Sequence, residues 1–312
     1  MIYSMGKNNH DNSSWTARAA SNDIYRILES NPTGCVHSIF TNSFNLYFGG
    51  HLVHVGAAEN GLSPFGIGLD QNDVQQLLRR INGKQTVVWD SSSNTLIFSE
   101  GASLSLEQAE LTTHTINGSM CNLPHLKDNF LFVADRLRQE EWRTGLVETN
   151  EDKIVLIKYL LDPVFDQKDT VFLNKLDTLK KLARGDQTVE AESVFNYWIG
   201  RGLGLTPSGD DVITGICAIF SALKGTNKAF QEQLRSYLVE YGRERTTHIA
   251  LEYLLYATEN KFHSHLIQMC HVMDKPRGPE FLAALEEIRK IGHTSGADTI
   301  IGILLGINAL DI

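Results

Sequence analysis

The residues best suited to chemistry stand in one stretch, Gly202-Leu-Gly-Leu-Thr-Pro-Ser-Gly-Asp-Asp-Val-Ile-Thr-Gly215, where a glycine-rich loop runs into a helix. Thr206 or Ser208 can cap that helix, Pro207 suits its first turn, and Asp210 and Asp211 add acidic groups there. A second stretch, His293-Thr-Ser-Gly-Ala-Asp-Thr-Ile-Ile-Gly-Ile303, repeats the first. Aligning Ser208 with Ser295 gives six identities in nine positions, among them Gly209 with Gly296, Asp211 with Asp298 and Gly215 with Gly302. The chain thus carries two equivalent helix starts.

The first N–H groups of a helix lack intrahelical partners, and the helix dipole adds partial positive charge, so anions bind well there. Two such starts brought together make a pocket for a phosphate or small carboxylate, and they are expected to lie side by side. Thr206, Ser208, Gly209, Asp211, Thr294, Ser295, Gly296 and Asp298 are the candidate anion-binding residues. A plainer account stands beside this one. Ser208 to Asp211 and Ser295 to Asp298 have the spacing of a capping box, with Asp in place of Glu or Gln.

Two residues break the repeat and are the candidate catalytic groups. Asp210 faces Ala297 in the alignment, so a cap does not need it, and a general base or metal ligand would. His293 faces Thr206 and could donate to an oxyanion or exchange a proton near neutral pH. A solvated Asp and a packed His are the structural alternatives. Gly215 and Gly302 fall on the same helix face as their Asp partners, where glycine permits close approach of a second backbone. Thr246 and Thr247 could turn hydroxyls toward a ligand.

Stepping along the chain, residues 15–30 read as a helix entered at Ser14 and ended before Pro32. Strands are expected at 36–40, 44–48 and 52–55, the last two joined by a Gly49-Gly50 hairpin. A glycine-rich turn at 61–68 and a short helix at 73–81 follow, then strands at 86–89 and 95–99, with 111–116 closing the sheet. Beyond Pro124 helical periodicity takes over, at 126–143, 150–160, 168–183, 188–199, 209–223, 228–256 with a break near Gly242, 261–273, 279–291 and 295–309. The fold class is α+β. An N-terminal β-rich, barrel-like domain (1–124) is followed by a mainly α-helical domain (125–312) carrying the paired Ser-Gly-x-Asp helix starts.

Composition excludes several function classes. A net charge of −9 without a Lys/Arg block argues against a nucleic-acid surface. The most apolar late stretch, 299–310, is too short to span a bilayer, and the N-terminus has no apolar signal-peptide core. Cys35, Cys121, Cys217 and Cys270 lack Cys-x-x-Cys spacing, so reduced thiols and a cytoplasmic location are expected. His51 and His54 are three apart in a strand and face opposite sides, and His263, His265 and His271 form no close metal motif. No Walker A sequence is present, and Gly200-Arg-Gly-Leu-Gly204 lacks its Lys-Ser/Thr partner.

Gly202-Leu-Gly-Leu-Thr-Pro-Ser-Gly-Asp-Asp, Gly292-His-Thr-Ser-Gly-Ala-Asp and the Thr246-Thr247 pair between them resemble, in order, the motifs of the AllH family. Many relatives have Pro where this chain has Leu203. The resemblance implies a subunit of oxamate carbamoyltransferase, interconverting oxalurate plus phosphate with oxamate plus carbamoyl phosphate in purine or allantoin breakdown. It also implies AllF-like and AllG-like partner subunits. Two further functions remain open: a non-catalytic anion-binding or scaffolding subunit, and a phosphoryl or acyl transferase using Mg²⁺ held by Asp210, Asp211 and Asp298. No other cofactor is implied.

Overall fold

The computed structural model describes residues 13–118, 120–139, 142–162, 170–224, 226 and 228–310. Residues 1–12, and the parts of the expected helices at 140–141 and 168–169, lie outside them. The chain divides into two units, Met1–His114 and Thr115–Ile312.

The first unit is built on one mixed sheet, a half-barrel. Its strands are β1 (Ser14–Thr16), β2 (Ala19–Ser21), β3 (Thr33–Ile39), β4 (Ser43–Phe48), β5 (His51–Ala57), β6 (Gly66–Leu69), β7 (Thr86–Asp90), β8 (Thr95–Phe98), β9 (Ser103–Ser105) and β10 (Glu110–Thr112). Their spatial order is β1-β9-β8-β7-β3-β4-β5-β6-β2-β10. Alternation sets the inward face: Val87 and Trp89 on β7, and Leu96 and Phe98 on β8, are buried while their neighbours are not. Gly49 and Gly50, at φ +55° and +103°, turn the β4–β5 hairpin as expected of a Gly-Gly pair. Helix α1 (Asp23–Ser30) buries Ile24, Ile27 and Leu28, and α2 (Gln71–Leu78) packs on β4 and β5.

Two expectations in this unit are corrected. The helix read from Ser14 begins at Asp23, because Ser14–Thr16 and Ala19–Ser21 form two three-residue strands that pair with β9 and with β6 and β10. The segment 111–116 does not close the sheet. β10 ends at Thr112 as an edge strand on β2, and Thr115, the first residue of the second unit, bridges to Lys261 within that unit.

The second unit holds α3 (Leu123–Gln139), α4 (Asn150–Leu161), α5 (Val171–Arg184), α6 (Ala191–Trp198), α7 (Ser208–Ala222), α8 (Ala229–Arg245), α9 (His248–Thr258), α10 (Ser264–Val272), α11 (Pro279–Arg289) and α12 (Ser295–Ala309). Helices α7 and α12 are apolar almost all round, as helices enclosed by a bundle must be. They pack against each other, and α7 also meets α6, α9 and α10, while α12 meets α3, α4, α5 and α11. The expected break near Gly242 falls instead at Thr246–Thr247. Thr247 caps α9 by accepting from the Ala250 N–H at 3.0 Å, whereas Gly242 stays inside α8 and gives room to Leu251.

Crossing glycines fix the central pair. A Cβ on Gly215 would lie 2.1 Å from the Thr299 carbonyl oxygen, and one on Gly302 would lie 2.1 Å from that of Val212. Backbone occupies both spaces, so no larger residue fits without parting the helices.

Candidate functional site

The crossing of α7 and α12 brings their N-termini together, as the repeat requires of a shared site. Thr206 Oγ1 and Ser295 Oγ lie 2.9 Å apart. Each start is seated in the same way. A Cβ on Gly209 would meet the Trp198 carbonyl oxygen, at the end of α6, at 2.0 Å, and one on Gly296 would meet that of Ile288, near the end of α11, at 2.1 Å. Both glycines therefore lie against the C-terminal turn of the preceding helix. Their N–H groups donate to loop carbonyls, Gly209 to Arg201 at 2.8 Å and Gly296 to Ile291 at 3.0 Å. Close packing accounts for these two positions.

The repeated Ser and Asp do not form capping boxes. Pro207 and Thr294 occupy the cap positions, neither with a side-chain cap, and the serines are the first helical residues. The hydroxyl–carboxylate pairs are exchanged between the helices. Asp211 of α7 accepts from Ser295 and Thr206, while Asp298 of α12 accepts from Ser208, Thr294 and Thr144. Asp298 also takes the Gly145 N–H at 3.2 Å to each carboxylate oxygen.

Asp210 has no counterpart in α12 and has its own partners. It accepts from the Gly200 N–H at 2.8 Å and from the Thr246 hydroxyl, tying the α6–α7 loop to the end of α8. Thr247 meanwhile donates to the Leu205 carbonyl. The threonine pair thus serves the glycine-rich loop from the α8–α9 junction.

Three carboxylates are buried in this small volume: Asp210 at 2% exposure, Asp211 at 9% and Asp298 at 0%. Burial raises the pKa of each, Asp210 to about 6 despite its two donors. Asp211 rises well above the usual range, because desolvation is joined by the negative charges of Asp298 and Asp210. Asp298 rises less freely against its four hydrogen-bond donors. One oxygen of Asp211, Oδ2, is buried without a hydrogen-bond partner.

The Mg²⁺ cluster considered from sequence does not fit this arrangement. Asp210 is directed to Gly200 and Thr246, and Asp298 to Thr144 and Gly145. Among the described residues no three His, Cys, Asp or Glu side chains group so as to hold a metal ion.

His293 lies outside this buried cluster and is exposed. Its Nε2 stands 3.3 Å from Arg143 Nη1, and because a guanidinium only donates, Nε2 is the acceptor in that contact. His293 and Thr294 line a cavity of about 510 Å³ with Arg143, Thr144, Glu148 and Lys153. Arg143, Thr144, Gly145 and Lys153 were not singled out from sequence, which read 142–143 as the end of a helix, where α3 ends at Gln139, and Lys153 as an ordinary member of the helix 150–160. Trp142-Arg-Thr-Gly145 resembles no motif and carries only an ordinary turn signal.

Among the described residues no helix is long and apolar enough to cross a membrane. The four cysteines are free thiols, Cys217 and Cys270 buried.

No solved structure gives a significant match to the chain. Two family models do match. Residues 16–111 match the AllH family N-terminal domain, the half-barrel unit, and residues 198–307 match oxamate carbamoyltransferase subunit AllH, the segment with both helix starts. Together they cover most of the chain, which belongs to the AllH family of oxamate carbamoyltransferase subunits.

Proposed function

We propose that this chain acts within an oxamate carbamoyltransferase-like complex that interconverts oxalurate plus phosphate with oxamate plus carbamoyl phosphate, in purine or allantoin breakdown. The observation that carries this beyond family membership is the joined pair of helix starts, with hydroxyls of Thr206, Ser208, Thr294 and Ser295 gathered around it. Every reactant named is an anion, and the transfer develops charge on an oxygen that fixed donors stabilise. Ser208 and Ser295 hold the helix starts in register through the exchanged carboxylates. His293, which borders the open cavity beside Arg143, exchanges the proton. Asp210 positions Thr246 and the loop before α7. The remaining groups come from AllF-like and AllG-like partners, and the complex is cytoplasmic.

The test is reconstitution. Carbamoyl phosphate formed from oxalurate and phosphate should be measured with the partner subunits, with and without this chain. Formation that depends on this chain and falls with His293→Ala supports the proposal. Full turnover by the partners alone would leave the non-catalytic scaffolding alternative.

A further inference from the structure

The two helix starts are alike in sequence and unlike in what surrounds their carboxylates. On the Asp298 side the α3–α4 connection closes over the pair. Gly145 donates its N–H to both Asp298 oxygens, and a Cβ on it would lie 2.2 Å from the Ser208 hydroxyl oxygen and 3.4 Å from that of Thr294. With Thr144, Ser208 and Thr294 also donating, Asp298 has four donors and is fully buried. Asp211 has only two, Ser295 and Thr206, and its Oδ2 is buried with no hydrogen-bond partner among the described residues. Thr206, Asp211 and Ser295 together line a cavity of about 120 Å³ within the helical unit.

Much of the remaining lining is apolar, with Phe262, Leu266 and Ile291 on it. Two basic side chains on the same lining are engaged. Lys261 reaches Glu259 at 3.5 Å and lies over the Tyr256 ring, and His263 Nδ1 accepts the His265 N–H at 3.3 Å. An anionic group here would be buried against apolar walls beside Asp211, with the charges of Asp298 and Asp210 close enough to act on it. An uncharged amide meets no such obstacle. It offers two N–H donors and a carbonyl acceptor, so it can bond the Asp211 carboxyl whether that group is ionised or protonated. The volume falls below the roughly 300–1,000 Å³ usual for a whole small-molecule ligand, so the cavity takes one end of a ligand.

We infer that this cavity binds the carbamoyl end of the substrate, an uncharged primary amide, with Asp211, Thr206 and Ser295 as its polar wall, while the charged remainder of the molecule stays outside. The inference rests on the carbamoyl-transfer proposal for the ligand's identity, though not for its chemical class. The two halves of the repeat then differ in their work. The Asp298 half, closed by Gly145, holds the helices together, and the Asp211 half binds.

The test compares two anions that differ only at the buried end, since oxamate carries an amide where oxalate carries a second carboxylate. Each is titrated calorimetrically into the full chain, alone and with its partner subunits. Wild type is compared with two variants that fill the cavity from different helices, Thr214→Leu on α7 and Leu266→Phe on α10. Denaturation midpoints identify the variants that fold. The inference expects wild type to bind oxamate about 10-fold or more tightly than oxalate, because the second carboxylate would have to be buried. A folded filling variant should bind oxamate about 10-fold or more weakly than wild type. Oxalate bound as tightly as oxamate overturns the inference, and this comparison needs no variant. It is also overturned if wild type binds oxamate neither alone nor with its partners, or if a folded filling variant binds it as wild type does. Carbamoyl transfer by the assembled complex is measured separately. An active complex indifferent to a folded filling variant defeats the cavity and leaves the transferase proposal standing. An inactive wild-type complex defeats the transferase proposal, and the titrations alone then decide the cavity.

Discussion

Ser208, the first residue of α7, gives its hydroxyl to Asp298 of α12 and not to Asp211 one turn along its own helix. The reciprocal bond runs from Ser295 of α12 to Asp211 of α7. A local spacing that reads as two capping boxes is therefore used as a clasp between two helices. The clasp has a thermodynamic signature. A double-mutant cycle on Ser208→Ala and Asp298→Asn should give a coupling of roughly 0.5–3 kcal/mol, as expected for contacting residues. The corresponding cycle on Ser208 and Asp211 should be clearly smaller. The opposite order, with coupling inside α7, would restore the capping box.

The helix crossing itself makes a second prediction. Gly302→Ala places a methyl 2.1 Å from the Val212 carbonyl oxygen, a backbone atom that cannot swing aside. It should lower stability by about 1–3 kcal/mol or more, although alanine is the better helix former by about 1 kcal/mol. A denaturation midpoint equal to or above wild type would mean that the helices do not cross there.

Asp210 predicts a pH dependence. Its folded-state pKa is about 6, raised by burial above its ordinary value. The folded state therefore binds the proton more tightly than the unfolded state between about pH 4 and 6. Stability from this group is fully present below the unfolded pKa and is lost as pH rises through about 6, at up to about 1.4 kcal/mol per pH unit. Denaturant unfolding of wild type and Asp210→Asn at pH 5 and pH 7 isolates the group. Wild type should lose more stability than the variant between the two. Equal losses would show that Asp210 is not desolvated in the folded protein.

Thr246 and Thr247 should separate from each other. Thr247→Val removes the cap of α9 and should cost about 1 kcal/mol. Thr246→Val strips one of two donors from the buried Asp210 carboxyl, so it should raise the pKa of that carboxyl further and move the pH dependence just described toward neutrality. Carboxyl chemical shifts followed through a pH titration give the midpoint. An unchanged midpoint in Thr246→Val would show that the hydroxyl is turned elsewhere.

Helical elements with long apolar periods were legible to within a few residues, as at α4, α7 and α12, because each must bury a wide face and is closed by recognisable end residues. The strands flanking the Gly49-Gly50 hairpin were legible for the same kind of reason. β1, β2 and β9 were not, since three residues carry too little alternation, and their partners lie far along the chain. At the site, the repeat identified Ser208, Asp211, Ser295 and Asp298. It could not show that hydroxyls and carboxylates pair across helices, because spacing records only neighbours in sequence. Asp210 stood out as unmatched, but its ties to Gly200 and Thr246 depend on how α6 and α8 end. Arg143, Thr144 and Gly145 reach the site only through the packing of the α3–α4 connection, and Lys153 through that of α4; no local pattern marks them.

The central claim is that the joined starts of α7 and α12 serve carbamoyl transfer. Its most direct test is the rate of carbamoyl phosphate formation from oxalurate and phosphate by the chain assembled with its partner subunits, comparing wild type with the double variant Ser208→Ala, Ser295→Ala. Folding and assembly of the variant are verified by its denaturation midpoint and by gel filtration. The account predicts a folded, assembled variant whose turnover falls by about 10-fold or more, because the helix starts lose the register that positions the site. A variant that assembles and turns over at the wild-type rate would contradict it and leave the paired helix starts a structural clasp alone.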